Sequence, residues 1–370
     1  MNNAPIRILQ CVDNMNKAGL ETIIMNYYRN IDRNKVQFDF LINKKDIGDY
    51  EKEIRSLGGN IYVTPGLGIF KWFKYQRYMK KLFIEHPEYK IIHGQNEILC
   101  YPALYAAKKA KLPVRIAHSH NTSVTLDINI LVKLLYKKLI KKVATNYAAC
   151  SKKAGEYLFD NNFKVITNAV DSDKFKFNKK KREILRKKMN LENKFVIGHV
   201  GRFHIQKNHN YVLNLFSKYS KINKDAVLLL IGRGNLMPYI KLKAKMLNIY
   251  DKIIFMGDIT NVNDLYQVMD LFILPSFHEG LPVVGIEAQY ACLPCLFSDK
   301  ITKEVMFNKN VDFLSLKDKK KWINKIIYYE KTLHKKNRNK INNKDYDIKN
   351  ESNMLIDYYY KLLYTNKKEK

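Results

Sequence analysis

No run of the chain approaches the roughly 18 consecutive apolar residues that a membrane-spanning helix needs. The longest strongly apolar stretch is Ala226 to Ile231. The opening, MNNAPIRILQCVD, moves straight into a strand-like segment and lacks the basic and long apolar regions of a secretory signal. Cysteine is scarce, with five in 370 residues. An odd number so thinly spread argues against a disulfide scaffold and for a reducing compartment, so the expected location is the cytoplasm. Short repeats and low-complexity linkers are absent. Acidic residues are in deficit: 35 Asp and Glu stand against 66 Lys and Arg, a net charge of +31. Such an excess attracts anions, whether nucleic acid, an acidic membrane face or a phosphorylated ligand. No recognisable nucleic-acid motif accompanies it, so nucleic acid is not an expected partner. Lysine, asparagine, isoleucine and tyrosine are abundant throughout, as AT-rich coding bias would produce, and most lysines fall on faces that read as solvated.

What is present is a soluble composition, 46% hydrophobic and 27% charged, in a length that suits two domains of about 150–200 residues. Short β-branched runs alternate with amphipathic helical segments. Strands are predicted at Ile6–Val12, Val36–Ile42, Asn60–Thr64, Lys90–His93, Val114–His118 and Thr145–Cys150. Helical spacing fills the gaps at Glu21–Asn30, Phe70–Glu85, Leu99–Lys111 and Ile128–Lys142. The alternation breaks over 171–194, a basic connector followed by one helix. It resumes with strands at Phe195–Val200, Val227–Ile231, Lys252–Phe255, Leu271–Leu274 and Pro294–Phe297, and a helix at Val283–Ala291. Alternating strands and helices mean βαβ units and parallel sheets. The predicted fold is therefore α/β, with two Rossmann-like parallel-sheet domains, 1–172 and 173–345, facing a central cleft. The last stretch, Asp318 to Lys370, reads as helical and Lys-rich, with Met354, Leu355, Tyr358, Leu362 and Leu363 at helical spacing; its part 346–370, a helix and tail, is expected to pack back on the N-terminal domain. Ligands of open parallel sheets bind beyond the carboxyl ends of the strands, and the informative residues fall there.

Gly201-Arg202-Phe203-His204-Ile205-Gln206-Lys207 leaves a strand, with two cations near the start of the next helix. Such an arrangement can hold phosphate. Gly232-Arg233-Gly234 follows another strand. It resembles the start of a dinucleotide loop, but the third glycine is missing at Met237, which disfavours an NAD-dependent oxidoreductase. A glycine turn that lets a nucleotide approach the backbone is the better reading. The segment Pro275 to Ala288 carries Glu279 on a loop and Glu287 about one turn into a helix. Both carboxylates can accept hydroxyl hydrogen bonds from a sugar or ribose. Between them Gly280, Leu281, Pro282 and Val283 form a helix N-terminus, whose N–H groups suit an anion.

In this order the motifs resemble those of glycosyltransferase family 4. Asp270–Asp299 is similar to the family's Glu-x7-Glu signature. Gly201-Arg202…Lys207 resembles its diphosphate loop, and Ile231–Gly234 its Gly-x-Gly turn. Phe255-Met256-Gly257-Asp258-Ile259 resembles the segment near the nucleotide base, and Asn168-Ala169-Val170-Asp171 the Asn-Gly-Val-Asp signature. Ala18-Gly19-Leu20-Glu21 resembles the Gly-Gly-x-Glu loop, and His118-Ser119-His120-Asn121 falls where the family has a histidine after a strand. The likeness runs collinearly from residue 6 to about 300, nearest to the capsular and exopolysaccharide branch. Departures are Ala18 and Ala169 in place of glycines, Cys292 at a usual glycine position, and no glycine-containing loop after residue 300.

The resemblance implies a GT-B fold and a retaining transferase with no essential metal. Its donor would be a nucleoside-diphosphate sugar, a UDP-sugar first, and its acceptor a glycan, often lipid-linked. It implies that Arg202 and Lys207 stabilise the leaving diphosphate, Glu279 holds donor sugar hydroxyls and Glu287 holds the ribose. His120 would bond the donor sugar or the acceptor. His120 is preferred to His118 because it reaches further beyond the strand end, and alternation would turn one of the two to the sheet's other face. Gly19, Gly201, Gly232, Ile259, Gly280, Leu281 and Pro282 complete the implied nucleotide-sugar contacts. A non-catalytic binding protein on a degenerate scaffold is the second reading, which the joint retention of Arg202, Lys207, Glu279 and Glu287 disfavours. Asp171-Ser172-Asp173 matches a metal-holding Asp-x-Asp pattern, but it sits in the interdomain signature. Cys292-x2-Cys295 lacks the second pair that structural zinc needs. Two basic amphipathic segments, Phe70–Phe83 and Leu126–Val143, fit packing on a sheet or contact with an anionic membrane at the inner face of the cytoplasmic membrane.

Overall fold

The computed structural model describes residues 4–17, 19–44, 46–121, 130–257, 259, 261–333, 338 and 345–365. By its contacts the chain divides into two units, Met1–Val170 with Tyr346–Lys370, and Asp171–Asp345. The first holds a seven-stranded sheet: β1 (Ile6–Val12), β2 (Val36–Ile42), β3 (Ile61–Val63), β4 (Ile91–Gly94), β5 (Val114–Ser119), β6 (Asn146–Ala149) and β7 (Lys164–Val165). The second holds six: β8 (Phe195–Val200), β9 (Ala226–Ile231), β10 (Ile253–Gly257), β11 (Leu271–Leu274), β12 (Cys295–Ser298) and β13 (Val311–Leu314). Every strand pair is parallel.

Parallel strands need crossovers that place helices on both faces, so central strands are apolar along their whole length. β2 and β8 are buried at every position. The polar exceptions on β2 are Gln37, which donates to the Tyr28 hydroxyl and the Leu57 carbonyl, and Asp39, which is fully paired. Arg7 lies 2.5 Å from its Oδ1, and the Tyr89 hydroxyl donates to its Oδ2 at 2.7 Å.

Strand order fixes where each sheet opens. The first runs β3-β2-β1-β4-β5-β6-β7 and the second β10-β9-β8-β11-β12-β13. Both reverse direction once, between β1 and β4 and between β8 and β11. Loops leaving the two strands at such a reversal diverge, and the crevice between them is where ligands of these sheets bind.

The sequence located eleven strands, four with the observed bounds. β7, with two residues, and β13, with the sequence Val-Asp-Phe-Leu, were not anticipated. Helices Glu51–Ser56 and Lys152–Phe159 were also unanticipated; both are short. The C-terminal part forms two helices, Lys319–Leu333 in the second unit and Ile348–Thr365 in the first. In the latter, Met354 is exposed, and Ile356 and Tyr359 join Leu355 in the core. The start of the predicted 128–142 helix lies outside the described residues, which show it from Ile130 to Val143.

The second unit depends on one buried carboxylate. Asp270, 2% exposed, accepts from Arg182 at 2.5 Å, from Arg186 at 3.0 Å and from the backbone N–H of Val196 on β8 at 2.8 Å. Asp270 thereby ties helix Lys179–Lys188 to the sheet. Removing one partner of a buried pair strands the other, at about 3–5 kcal/mol. The two tryptophans, Trp72 and Trp322, lie one in each unit. In a Trp72→Phe background, Asp270→Ala should lower the urea midpoint read by Trp322 fluorescence by an amount equivalent to about 3 kcal/mol. An unchanged midpoint would show that the carboxylate is not structural.

Candidate active site

Most of the residues expected to meet the donor sit on the two loops that flank the reversal in the second sheet, after β8 and after β11. After β8 the chain passes Gly201, where a Cβ would lie 3.0 Å from Lys207 Cδ. The glycine therefore lets the Lys207 stem lie against the strand's exit. Gly232 follows β9 with φ +133°, and a Cβ there would stand 2.2 Å from the Gly201 carbonyl oxygen. The Gly-x-Gly turn is thus already required by backbone-on-backbone packing within the chain. Phe203 N–H donates to the Arg233 carbonyl at 2.7 Å and Gly201 N–H to that of Ile231 at 2.9 Å.

Three consecutive residues then grip the loop after β11. Gln206 accepts from Phe277 N–H at 2.9 Å and donates from Nε2 to the His278 carbonyl at 2.9 Å. Asn208 donates to the Pro275 carbonyl at 3.1 Å. Lys207 Nζ donates to Glu279 Oε1 at 2.7 Å, with side chains 18% and 10% exposed. The other carboxylate oxygen, Oε2, has no partner among the described residues. Arg202 is exposed and its guanidinium bonds to no described residue. So Lys207 and Glu279 come together as one unit, and Arg202 stands at the rim of the same loop. Gly280, Leu281 and Pro282 are buried in the loop that leads into helix Val283–Tyr290. Ile259 is partly buried just past β10; Asp258 beside it lies outside the described residues.

Glu287 occupies the second turn of helix Val283–Tyr290. Burial pushes its carboxyl up to about 7, against the pull of the Tyr266 hydroxyl. That hydroxyl donates to Oε2 at 2.7 Å. Tyr266 was not foreseen, since nothing in its local sequence separates it from a core tyrosine. Two further unforeseen residues lie behind Lys207. His199 and His209 pack edge to face at 4.7 Å, and Phe203 stacks on His209 at 4.1 Å. Burial first, and the Lys207 charge with it, push His199 down to about 4 and His209 well below the usual range. Both are neutral at pH 7, which leaves Lys207 the cation facing Glu279.

The first unit carries the histidines. His118 ends β5 with Ser119, and His120 follows. The expectation that one of them turns to the other face fails. They are two residues apart, a full strand period, and their rings stack at 4.0 Å. A third histidine, His93 on β4, completes the set. Its Nε2 lies 3.0 Å from His118 Nδ1, and its Nδ1 lies 2.8 Å from the Tyr359 hydroxyl. Gln10 Nε2 donates to that hydroxyl at 3.3 Å, so the network assigns the hydroxyl proton to His93 Nδ1. His93 then donates from Nε2 to His118, and His118 carries its remaining proton on Nε2. Gln95 donates from Nε2 to Gln10 at 2.9 Å, so its carbonyl oxygen accepts from His120 Nε2 at 2.8 Å. His120 Nδ1 is thus a hydrogen-bond acceptor, and it has no partner. Burial pushes His93 and His120 down to about 3 and His118 well below its usual range. All three are neutral at pH 7.

Gly19 opens helix Gly19–Asn30, is exposed, and a Cβ on it would meet nothing within 4 Å. Ala18 lies outside the described residues. Asp171 and Asp173 pair separately, with Lys174 at 3.4 Å and Lys176 at 2.5 Å. Among the described residues no three His, Cys, Asp or Glu gather in a metal-binding group. Cys292 and Cys295 are both buried. Cys292 has φ +57°, the left-handed position after a helix where glycine is usual.

Two parallel α/β units, each with one reversal of strand order, are the architecture of the GT-B fold. Residues 181–346 match the family Glycosyl transferases group 1. EpsF of Bacillus subtilis (strain 168), a glycosyltransferase by name, is 34% identical over 315 residues, covering 82% of each chain. An Escherichia coli protein named UDP-Gal:alpha-D-GlcNAc-diphosphoundecaprenol alpha-1,3-galactosyltransferase is 27% identical over 66% of this chain and 67% of its own. The structure of Anabaena HepE in complex with UDP and glucose shares the fold, with TM-score 0.75 at 16% identity over 98% of both chains. The chain belongs to the group 1 glycosyl transferases, enzymes that move a sugar from a nucleotide sugar.

The raised Glu287 carboxyl gives a signed pH dependence. The folded state holds this proton more tightly than the unfolded chain. Its contribution to stability is therefore complete below about 4.5 and is lost as pH rises to about 7. Glu287→Gln keeps the uncharged form at every pH. The melting temperature of the wild type should fall relative to Glu287→Gln across that window and run parallel above it. Parallel curves throughout would show an ordinary carboxylate.

Proposed function

We propose that this chain is a retaining, metal-independent transferase that moves a sugar from a UDP-sugar to a lipid-linked glycan in capsular or exopolysaccharide synthesis. The observation that carries the reading is the Lys207–Glu279 pair, 2.7 Å apart, on two loops stitched by Gln206 and Asn208. Breaking a sugar–diphosphate bond builds positive charge on the ring and negative charge on the departing diphosphate. A fixed ammonium beside the second and a carboxylate beside the first answer both. Glu279 Oε2 accepts a donor sugar hydroxyl, Glu287 a ribose hydroxyl, and Arg202 adds a second cation from the loop's rim. His120, whose Nδ1 is buried and without a partner, bonds the donor sugar or the acceptor. The leaving phosphate takes the acceptor's proton.

The relatives support the donor and acceptor classes: one is named for UDP-Gal and a diphosphoundecaprenol acceptor, and HepE was solved with UDP. A lipid-linked acceptor also suits the surface of the first unit. Phe70 and Phe73 are fully and 82% exposed, and Leu131 is 78% exposed, among lysines. No described helix is long and apolar enough to cross a membrane. Contact with an anionic membrane from one side is the mode that such a surface supports.

The test is a panel of UDP-, GDP- and ADP-sugars with EDTA present, scored by thermal shift and by slow hydrolysis to free nucleoside diphosphate. One UDP-sugar should shift the wild type. Lys207→Ala and Glu279→Ala should each lower hydrolysis by about 10²-fold, the usual loss of one preorganised charge contact. Activity only after Mg²⁺ is restored would move Asp171 and Asp173 into the site. Binding without turnover for any sugar or acceptor would favour the non-catalytic scaffold.

A further inference from the structure

A second concavity lies wholly within the first unit, beyond the carboxyl ends of β1, β2 and β3. Its volume is 510 Å³, within the range of small-molecule sites. None of the donor-side residues lines it. Three ammonium groups do, Lys44, Lys71 and Lys133, with a single carboxylate, Asp13. Asp13 is already engaged, accepting from Asn96 Nδ2 at 2.9 Å and lying 3.9 Å from Lys44 Nζ. Lys71 has no ion pair among the described residues. Lys133 is 9% exposed and close enough to Glu97 to pull its carboxyl down, although burial pushes that carboxyl up on balance. The lining itself carries more positive than negative charge.

The rest of the wall is apolar, with Leu67, Leu99, Val132 and Tyr136. The same helix that supplies Val132, Lys133 and Tyr136 turns Leu131, Leu134 and Leu135 outward, 78%, 46% and 52% exposed. Phe70 and Phe73 flank Lys71 in the same manner. Cations at a cavity that continues into exposed apolar side chains match an anionic head joined to an apolar tail. A free anion would not need the apolar wall, and a neutral lipid would leave the lysines without counter-charge.

We infer that this cavity takes the phosphorylated end of the acceptor, a diphosphate ester of a long apolar alcohol, with Lys44, Lys71 and Lys133 on the diphosphate. The inference rests on the transferase reading above.

Calorimetric titration of the full chain with geranyl diphosphate, inorganic pyrophosphate and UDP tests it. Geranyl diphosphate should bind with and without saturating UDP. It should bind at least about ten-fold tighter than pyrophosphate, because burying the geranyl chain adds well over 1.4 kcal/mol. Lys44→Ala/Lys71→Ala should weaken it at least about ten-fold and leave UDP binding unchanged, since two charge-assisted hydrogen bonds to the diphosphate are lost. Both lysines are exposed, so the variant should fold, and UDP binding reports that it has. Displacement of geranyl diphosphate by UDP, equal affinity in the double variant, or equal affinity for pyrophosphate would each overturn the assignment. If UDP fails to bind the wild type, the donor reading falls, while the titrations without UDP still decide the cavity.

Discussion

The reversal of strand order between β8 and β11 is the constraint on which the donor-side site depends. Within the second sheet only these two neighbouring strands send their following loops apart, one toward helix His209–Ile222 and the other toward helix Val283–Tyr290. The two loops lie outside the strand ladders. They are held instead by the run Gln206-Lys207-Asn208, which spends a carbonyl, an amide, an ammonium and a second amide on the facing loop. A site made in this way is rigid before any ligand arrives, which is the condition under which fixed charges stabilise a developing one.

The lysine–glutamate pair itself is a poor source of stability. Two charges with side chains 18% and 10% exposed forfeit much of their hydration, and the attraction between them roughly offsets that loss. Its retention in the fold makes sense as readiness. The desolvation has been met by folding, so the diphosphate and sugar hydroxyl of the proposed donor would exchange partners with the pair without having to strip water from it. The neutral state of His199 and His209 serves the same end, because a charged imidazole behind Lys207 would repel its ammonium.

Much of this was legible in the sequence, for physical reasons. Strands buried on both faces are dominated by apolar residues even where a Gln10, Asp39 or His199 interrupts them, so β1, β2, β8 and β11 were located to the residue. β7 and β13 are too short, or too interrupted by Asp312, to show a period. Glycines and charges just past strand ends mark candidates, which is how Gly201, Lys207, Glu279 and Glu287 were singled out; the structure adds that Lys207 and Glu279 are in contact. What stayed hidden were partners that reach the site from elsewhere. Tyr266 looks like any core tyrosine until it is seen to donate to Glu287. The stacking of His118 on His120 is simple strand periodicity, and here the sequence reading misapplied the period. The cavity lined by Lys44, Lys71 and Lys133 joins residues spread over ninety positions, and no local pattern marks them in a chain so rich in lysine.

The longest of these connections runs from the C-terminal helix to the histidines. Tyr359 is 266 positions from His93, yet its hydroxyl lies 2.8 Å from the imidazole. It is 1% exposed, and Phe38 packs on it edge to face at 6.2 Å. With Gln10 donating to it, the phenol has one proton and one direction in which to give it. That choice propagates: His93 must donate to His118, and His118 must present an N–H rather than a lone pair. His120 receives its own orientation from Gln95, which Gln10 also holds, so both ends of the network meet at one glutamine on β1. A helix that looked like a basic tail therefore sets the hydrogen-bonding sense of side chains at the opposite end of the sequence. It does so without charge, because buried imidazoles at this depth remain neutral and only the placement of protons is left to be decided.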